Sequence, residues 1–194
     1  DLSIICVGTP TTREGVTDLS FLDRVTSDIS CILAKNKKKH IIMVRSTIPP
    51  GTMEDLIMPK FVDNKEVGIC FNPEFLREGT AVKDYYDPPY IIVATNSKEA
   101  RRIVSKFYEN VKSDISLTSF KTAETLKMVN NVFHALKIVF ANEVKRFSES
   151  FDLNAYEIMD LVKKDKKLNI SPVYLNPGFA YGGSCLPKDV ESFV

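Results

Sequence analysis

The feature that most constrains the fold is the segment 121–150, which contains no glycine or proline. Its apolar residues recur at spacings of three and four, which predicts one helix about 45 Å long at about 1.5 Å per residue. A second apolar stripe runs beside the first, so we expect a wide buried face, covered by the helix's own domain or by a second subunit. The first stripe comprises Leu126, Val129, Phe133, Leu136, Phe140, Val144 and Phe147, and the second comprises Met128, Val132, Ala135 and Val139.

The residues before this helix alternate short apolar runs with helical patterns. Such alternation is typical of an α/β fold with a parallel sheet. A shorter helix, 155–164, is predicted after the long one. Strands are predicted at 2–7, 40–44, 67–71, 90–94 and 115–117. One helix is predicted to follow the caps Thr17 and Asp18 and to run to residue 36. Two more helices are predicted, one just after Pro49-Pro50-Gly51 and one at 97–111.

Composition excludes several classes of protein. The chain has 194 residues, 44% hydrophobic content and a net charge of +1, which favours a globular protein without a nucleic-acid or membrane partner. The basic runs 35–39 and 163–167 are interpreted as solvated surface. No apolar segment approaches the roughly 20 residues of a membrane span, and Asp1-Leu2-Ser3 lacks the basic start of a signal peptide, so we expect a cytoplasmic location. The four cysteines lack metal-ligand spacing, so no metal site is expected.

One cysteine has chemically unusual neighbours, in Gly182-Gly183-Ser184-Cys185-Leu186-Pro187-Lys188-Asp189. The glycines let the backbone bend closely and Pro187 can start a helix, which places Cys185 at or just before a helix start. The helix dipole and Lys188 would both lower the pKa of the thiol and favour a nucleophilic thiolate. The alternative is a capped turn with a packed cysteine. Cys6, Cys31 and Cys70 sit in apolar runs, where a cysteine acts as a small hydrophobic residue.

Two pairs of polar residues are further candidates. Lys127 and Asn131 are four residues apart on the long helix, so they project from one face and could hold one substrate oxygen. The alternative is that they simply face solvent. Glu74 and Glu78 follow directly on a predicted strand, at the edge where open α/β sheets bind ligands. The alternative for both is a surface carboxylate.

A pair of Cys185 and His134 would suit a thiol hydrolase or acyltransferase. His134 lies in mid-helix between Phe133 and Ala135, without a triad-like or metal-like signature nearby. A packed, hydrogen-bonded histidine is the more common case, so this remains an alternative function.

Several motifs follow one another in a single order along essentially the whole chain, and together they resemble the UDP-glucose/GDP-mannose 6-dehydrogenases. The stretch 167–189 looks closest to the GDP-mannose branch, although some UDP-glucose enzymes share it. The motifs are Val7-Gly8-Thr9-Pro10, Arg45-Ser46-Thr47 with Pro50-Gly51-Thr52, Asn72-Pro73-Glu74-Phe75-Leu76-Arg77-Glu78, the helix with Lys127 and Asn131, Phe140-Ala141-Asn142-Glu143, and Gly182-Gly183-Ser184-Cys185.

The family's architecture implies an NAD-binding Rossmann domain, a central helical domain whose long helix also forms a homodimer, and a C-terminal nucleotide-binding domain. We therefore expect residues 1–118 to be the second half of a Rossmann-type parallel sheet, and 119–194 to be an all-helical central domain for dimerisation and catalysis. No Gly-x-Gly-x-x-Gly occurs in the sequence, so the first βαβ unit and the C-terminal domain are expected outside this chain. The chain alone is then expected to be catalytically silent.

The resemblance also implies a reaction, the NAD-dependent, four-electron oxidation of a sugar C6 alcohol to a carboxylate. Cys185 resembles the family's nucleophile, which captures the sugar aldehyde as a thiohemiacetal whose oxidation gives a thioester, with two NAD consumed. GDP-mannose, giving GDP-mannuronate, is favoured as substrate, and UDP-glucose, giving UDP-glucuronate, is the alternative. A non-catalytic dimerisation module is a further alternative.

The other site residues are carried over by their positions in the motifs. The positions that handle the C6 oxygen, the catalytic water and proton transfer are matched by Lys127, Asn131 and Asp189. Glu74 matches the carboxylate implicated in thioester hydrolysis, and Thr47 matches a residue near that water. NAD-contacting positions are matched by Thr9, Pro10, Glu78 and Lys188, and the sugar-nucleotide site by Phe75, Leu76, Asn169, Tyr174, Tyr181 and Gly182.

Overall fold

The computed structural model describes residues 2–36, 38–178 and 186–193. The chain forms two compact units, residues 1–131 and 132–194. The long helix predicted from the spacing is confirmed as α4 (Phe120–Glu149), and it contributes residues to both units.

The first unit is built on a five-stranded sheet with the strand order β1-β2-β3-β4-β5. The α/β fold expected from the sequence is therefore confirmed. The strands are β1 (Leu2–Ile5), β2 (His40–Val44), β3 (Val67–Phe71), β4 (Ile91–Thr95) and β5 (Ile115–Thr118). The helical segments are α1 (Ser20–Asn36), a π-helical turn (Met53–Ile57), a 3-10 turn (Met58–Phe61), α2 (Ala81–Tyr86), α3 (Lys98–Phe107) and the first part of α4.

The central strands are buried on both faces, which explains their continuous apolar runs. Successive side chains of a strand point to opposite faces, so Ile42 and Val44 pack in one hydrophobic cluster with Leu22 of α1. Ile41 packs in a second cluster with Val104 of α3 on the other face. Helices on both faces thus hold the sheet edge in a fixed position.

Asp18 caps α1 as the sequence predicts. Its Oδ1 accepts a hydrogen bond from the backbone N–H of Ser20 at 2.8 Å. Hydrogen bonds from Ser20 hold the pKa of the Asp18 carboxyl below its usual range, because they stabilise the ionised form.

The sheet departs from the all-parallel expectation at one pairing. Three of the four strand pairs are parallel, but β3 and β4 are antiparallel, with Phe71 opposite Ala94. The connection between these strands stays at the carboxyl edge of β3 instead of crossing a face of the sheet. Asn72 Nδ2 donates to the Ile92 carbonyl at 2.8 Å, and the rings of Phe75 and Tyr90 pack edge to face. β4 consequently enters the sheet from that edge.

The second unit contains the rest of α4 with α5 (Ala155–Val162) and α6 (Leu186–Phe193). Asn154 caps α5, its Oδ1 accepting from the N–H of Tyr156 at 3.0 Å. Phe147 of α4 stacks on Phe193 of α6, with ring centroids 4.7 Å apart. This ring contact fixes α6 against α4.

The two apolar stripes of α4 are largely exposed between residues 128 and 140. Val132 is 66% exposed, Leu136 59% and Phe140 50%. The described residues of this chain therefore leave the predicted buried face of α4 uncovered there.

A buried carboxylate attaches the start of α4 to the first unit. Glu124 is fully buried, and its two oxygens accept from the backbone N–H groups of Gly51 at 2.6 Å and Met53 at 2.8 Å. These donors belong to the turn that begins the π-helical segment, where N–H groups lack partners within the helix. A single side chain therefore satisfies two buried donors.

Replacing Glu124 by alanine should lower the free energy of unfolding by about 3 kcal/mol, because two buried N–H groups lose their acceptor and a cavity remains. Glu54→Ala is the matched control, since Glu54 forms an exposed ion pair with Lys121 at 3.0 Å that should contribute under about 1 kcal/mol. Urea denaturation measures both. Equal losses in the two variants would contradict the structural role of Glu124.

The same carboxylate predicts a pH dependence. Burial raises the pKa of Glu124 above its ordinary value, so the folded state binds this proton more tightly than the unfolded chain does. Its contribution to stability is full below the unfolded pKa and falls as the pH rises through the raised value. The Glu124→Gln variant should lack this part of the pH dependence when unfolding is measured across the range.

Candidate active site

Hydroxyl groups join the loops that follow β1 and β2. The Thr9 hydroxyl donates to the Thr47 carbonyl at 2.6 Å, and the Ser46 hydroxyl donates to the Val7 carbonyl at 2.6 Å. Both bonds lie at the carboxyl edge of parallel strands, where open α/β sheets bind ligands. The structure thus brings Thr9 and Thr47 together. Ser46 was not singled out from the sequence, because its partner lies far from it along the chain.

Glu74 lies in the loop after β3, with its two oxygens in different roles. Oε2 accepts from the backbone N–H of Leu76 at 2.7 Å, which fixes the carboxylate against its own loop. Oε1 lies 3.6 Å from Nζ of Lys127 on α4. The structure therefore brings together a carboxylate and a lysine that stand far apart in the sequence.

Lys127 is 6% exposed, so the interpretation that it faces solvent is wrong. Its Nζ lies 5.3 Å from the ring centroid of Phe75, within the range of a cation–π contact. The Glu74 carboxylate and the ring face of Phe75 thus both lie beside the buried amine. A buried cation of this kind stabilises a developing oxyanion more strongly than a solvated one.

An aromatic contact supports Phe75 from behind. The rings of Phe75 and Tyr90 pack edge to face with centroids 5.1 Å apart, and Asn130 Nδ2 donates to the Tyr90 hydroxyl. Asn130 lies on α4 beside the predicted Asn131. Neither Tyr90 nor Asn130 was a site candidate from the sequence. The only sequence signal for Tyr90 was that it is an aromatic residue at the start of a predicted apolar strand.

The remaining site candidates of the first unit are exposed. Their exposure leaves them accessible to a ligand at the sheet edge. They are Pro10, Leu76, Glu78 and Asn131.

Four candidates belong to the second unit, and all are exposed: Asn169, Tyr174, Lys188 and Asp189. Lys188 Nζ and the Asp189 carboxylate form an exposed ion pair at 3.2 Å in the first turn of α6. His134 is also exposed on α4, so it is not packed within the described part of this chain. Cys185, Tyr181 and Gly182 lie outside the described residues.

The other cysteines differ in their surroundings. Cys70 is buried in β3, and burial raises the pKa of its thiol to about 12, which keeps it protonated and unreactive. Cys6 and Cys31 are exposed, so the prediction that they pack as small hydrophobic residues is wrong. Cys6 lies beyond the end of β1, and Cys31 lies on the outer face of α1.

Residues 2–36, 38–178 and 186–193 contain neither a candidate metal-ligand cluster nor a candidate membrane span. No group of three or more His, Cys, Asp and Glu side chains that could hold a metal ion occurs there. None of the helices in those ranges is long and apolar enough to cross a membrane.

Two joined loops and the Glu74 carboxylate lie at the carboxyl edge of an open α/β sheet, and the buried Lys127 of α4 lies beside that carboxylate. This arrangement is typical of domains that bind a ligand at the ends of their strands. Comparison with known families narrows this class. Residues 1–112 match the NAD-binding domain of the UDP-glucose/GDP-mannose dehydrogenase family, and residues 121–194 match its central domain. The chain therefore belongs to this family, and residues 1–112 belong to its NAD-binding domain.

Individual relatives agree with this membership. The chain is 41% identical over its whole length to GDP-mannose 6-dehydrogenase of Pseudomonas syringae pv. tomato, covering 46% of that protein. It is 34% identical to UDP-glucose 6-dehydrogenase of Rickettsia prowazekii over 98% of the chain and 43% of that protein. The crystal structure of a ternary complex of GDP-mannose dehydrogenase from Pseudomonas aeruginosa superimposes with a TM-score of 0.95 at 38% identity, over 100% of this chain and 46% of the other. The chain thus spans a little under half the length of these relatives.

Proposed function

We propose that the protein is an NAD-dependent nucleotide-sugar 6-dehydrogenase that oxidises GDP-mannose to GDP-mannuronate in two steps. One observation carries the proposal: in a chain of this family, Lys127 is buried 3.6 Å from Glu74 at the ligand-binding edge of the sheet. The domain division 1–118 and 119–194 and a cytoplasmic location belong to the same proposal.

The proposed chemistry converts a CH2OH group and one water into a carboxylate, with the loss of two hydrides and three protons. Cys185 would attack the aldehyde formed in the first oxidation, and the second oxidation would give a thioester for water to cleave. Lys127 would stabilise negative charge on the C6 oxygen, since its amine is shielded from water. Glu74, already oriented by the Leu76 N–H, would take a proton from the attacking water.

Three further residues complete the proposed machinery. Asn131, one turn from Lys127 on α4, would hold the same oxygen, and Thr47 would lie near the attacking water. Asp189 in the first turn of α6 would assist proton transfer.

NAD, when bound, accepts the hydride removed from the sugar carbon. The residues at the sheet edge suit such a ligand, because the Thr9 hydroxyl joins the loops after β1 and β2 at the edge where dinucleotides bind in open α/β sheets. Thr9, Pro10, Glu78 and Lys188 are the proposed contacts.

The proposed sugar-nucleotide site combines aromatic and polar residues. Phe75 is the one whose position the structure explains, since Tyr90 and Lys127 both contact its ring. The complete set is Phe75, Leu76, Asn169, Tyr174, Tyr181 and Gly182. The higher identity to GDP-mannose 6-dehydrogenase than to UDP-glucose 6-dehydrogenase supports GDP-mannose as substrate.

The test is to express the full-length gene product and measure NADH formation with GDP-mannose and with UDP-glucose. We expect kcat/KM to be at least about tenfold higher for GDP-mannose, a difference of about 1.4 kcal/mol in transition-state binding. A preference for UDP-glucose would overturn the substrate assignment. No NADH from either sugar nucleotide would overturn the function.

We also propose that the protein forms a homodimer through α4. The exposed apolar stripes between residues 128 and 140 form a continuous surface that a second copy would bury. Leu136→Glu should shift the sedimentation coefficient to that of a monomer, because it places a charge in the interface. Lys145→Glu, an exposed change on α4 more than one turn beyond residue 140, is the control and should leave the dimer intact. A wild-type protein that is a monomer at tens of micromolar would contradict the proposal.

A further inference from the structure

A buried polar cluster lies directly behind the loop that carries Glu74. Asn72 is 1% exposed, and its Oδ1 accepts from Arg45 Nη1 and from the Tyr108 hydroxyl. Its Nδ2 donates to the Ile92 carbonyl at 2.8 Å, and its backbone N–H donates to the Val44 carbonyl at 2.9 Å. Residues from the ends of β2, β3 and α3 and from within β4 thus meet at one side chain.

The cluster permits only one orientation of the amide. Two donors face Oδ1 and one carbonyl faces Nδ2, so a flipped amide would place donor against donor and acceptor against acceptor. Burial raises the pKa of the Tyr108 hydroxyl, so the hydroxyl stays protonated and donates. Asn72 is therefore held by both its side chain and its backbone.

Hydrophobic packing alone does not require such a cluster. Apolar residues of similar volume fill a core at least as favourably, whereas buried polar networks fix one arrangement of the groups they join. A fixed Asn72 has a direct consequence two residues later. Pro73 has a restricted φ and also restricts the backbone of Asn72, so few free torsions remain before Glu74.

We propose that Arg45 and Tyr108 are positioning residues that hold the Glu74 carboxylate opposite Lys127. The pair stands at 3.6 Å, at the long end of ion-pair contact, so a small shift of the loop would separate it. The inference rests on the proposed function, in which Glu74 acts on the attacking water. Losing the Tyr108 donor would leave Arg45 as the sole donor to Oδ1, and the loop would sample other positions.

The test is a double-mutant cycle in the full-length enzyme, with Tyr108→Phe and Glu74→Gln made singly and together. Tyr108→Phe should lower kcat about tenfold, with KM for both substrates within twofold, because a displaced general base slows chemistry but not binding. In the Glu74→Gln background the same change should have almost no further effect on kcat. The pH dependence of kcat should also change in Tyr108→Phe, which a purely structural loss would not cause.

Tyr85→Phe is the matched control. The Tyr85 ring packs near Tyr108 with centroids 6.1 Å apart, and its hydroxyl makes no hydrogen bond within the described part of the chain. Its kcat should therefore stay within twofold of the wild type. If Tyr108→Phe does not fold, Arg45→Lys takes its place in the double-mutant cycle.

The outcomes separate this inference from the proposed function. If the losses of kcat in the two single variants multiply in the double variant, the positioning role alone would be overturned. The same holds if Tyr108→Phe leaves kcat unchanged while Glu74→Gln lowers it. Full activity of Glu74→Gln would overturn both this role and the proposed part of Glu74 in the reaction.

Discussion

Replacing Cys185 by serine in the full-length enzyme should reduce complete oxidation of the sugar by on the order of 10³-fold or more. A serine hydroxyl has too high a pKa to attack the aldehyde at neutral pH, whereas the sequence predicts a nucleophilic thiolate for a cysteine that precedes a helix start and Lys188. The structure begins α6 at Leu186, the residue after Cys185, as the sequence predicts. The measurement is the rate of NADH formation together with the products by mass spectrometry.

Cys31→Ser is the control for this variant, because Cys31 is exposed on the outer face of α1 in the first unit. It should keep the wild-type rate. Undiminished formation of two NADH per sugar by Cys185→Ser would remove the cysteine from the mechanism.

Replacing Lys127 by methionine should lower kcat by about 10²- to 10³-fold, the loss seen when one stabilising group is removed from a developing oxyanion. Methionine nearly matches the volume of the lysine stem and keeps the packing on Phe75, so the fold should persist. KM should change little, since the charge matters most in the transition state. Steady-state kinetics and thermal unfolding measure the two effects separately.

Lys121→Met is the matched control on the same helix. Lys121 is 61% exposed and pairs with Glu54 at 3.0 Å, outside the site. Its kcat should remain within twofold of the wild type. Similar kcat losses in both lysine variants would show that the charge of α4, and not the placement of Lys127, is responsible.

The sequence predicted those elements whose pattern is local. β2 and β3 have the predicted bounds, because strands buried on both faces read as unbroken apolar runs. The bounds of α4 differ from the prediction by one residue at each end, since a long repeat of apolar residues leaves little choice of register. The motifs likewise gave the family that the comparisons show.

Features that depend on distant contacts could not be predicted. The antiparallel β3–β4 pair is accompanied by contacts from Asn72 to Ile92 of β4 and from Phe75 to Tyr90 just before β4, which no local pattern encodes. Lys127 was placed beside the apolar stripe, yet it is buried because Glu74 and Phe75 reach it from another element. Tyr108 belongs to no motif, and Arg45 stands out only as part of a family motif, until the fold brings both to Asn72.

The count of NADH formed per GDP-mannose tests the central claim most directly. With NAD in excess and GDP-mannose limiting, the full-length enzyme should form two NADH for each sugar nucleotide consumed, and the product should be the carboxylate. A single NADH per sugar with an aldehyde product, or consumption of GDP-mannose without NADH, would contradict the account.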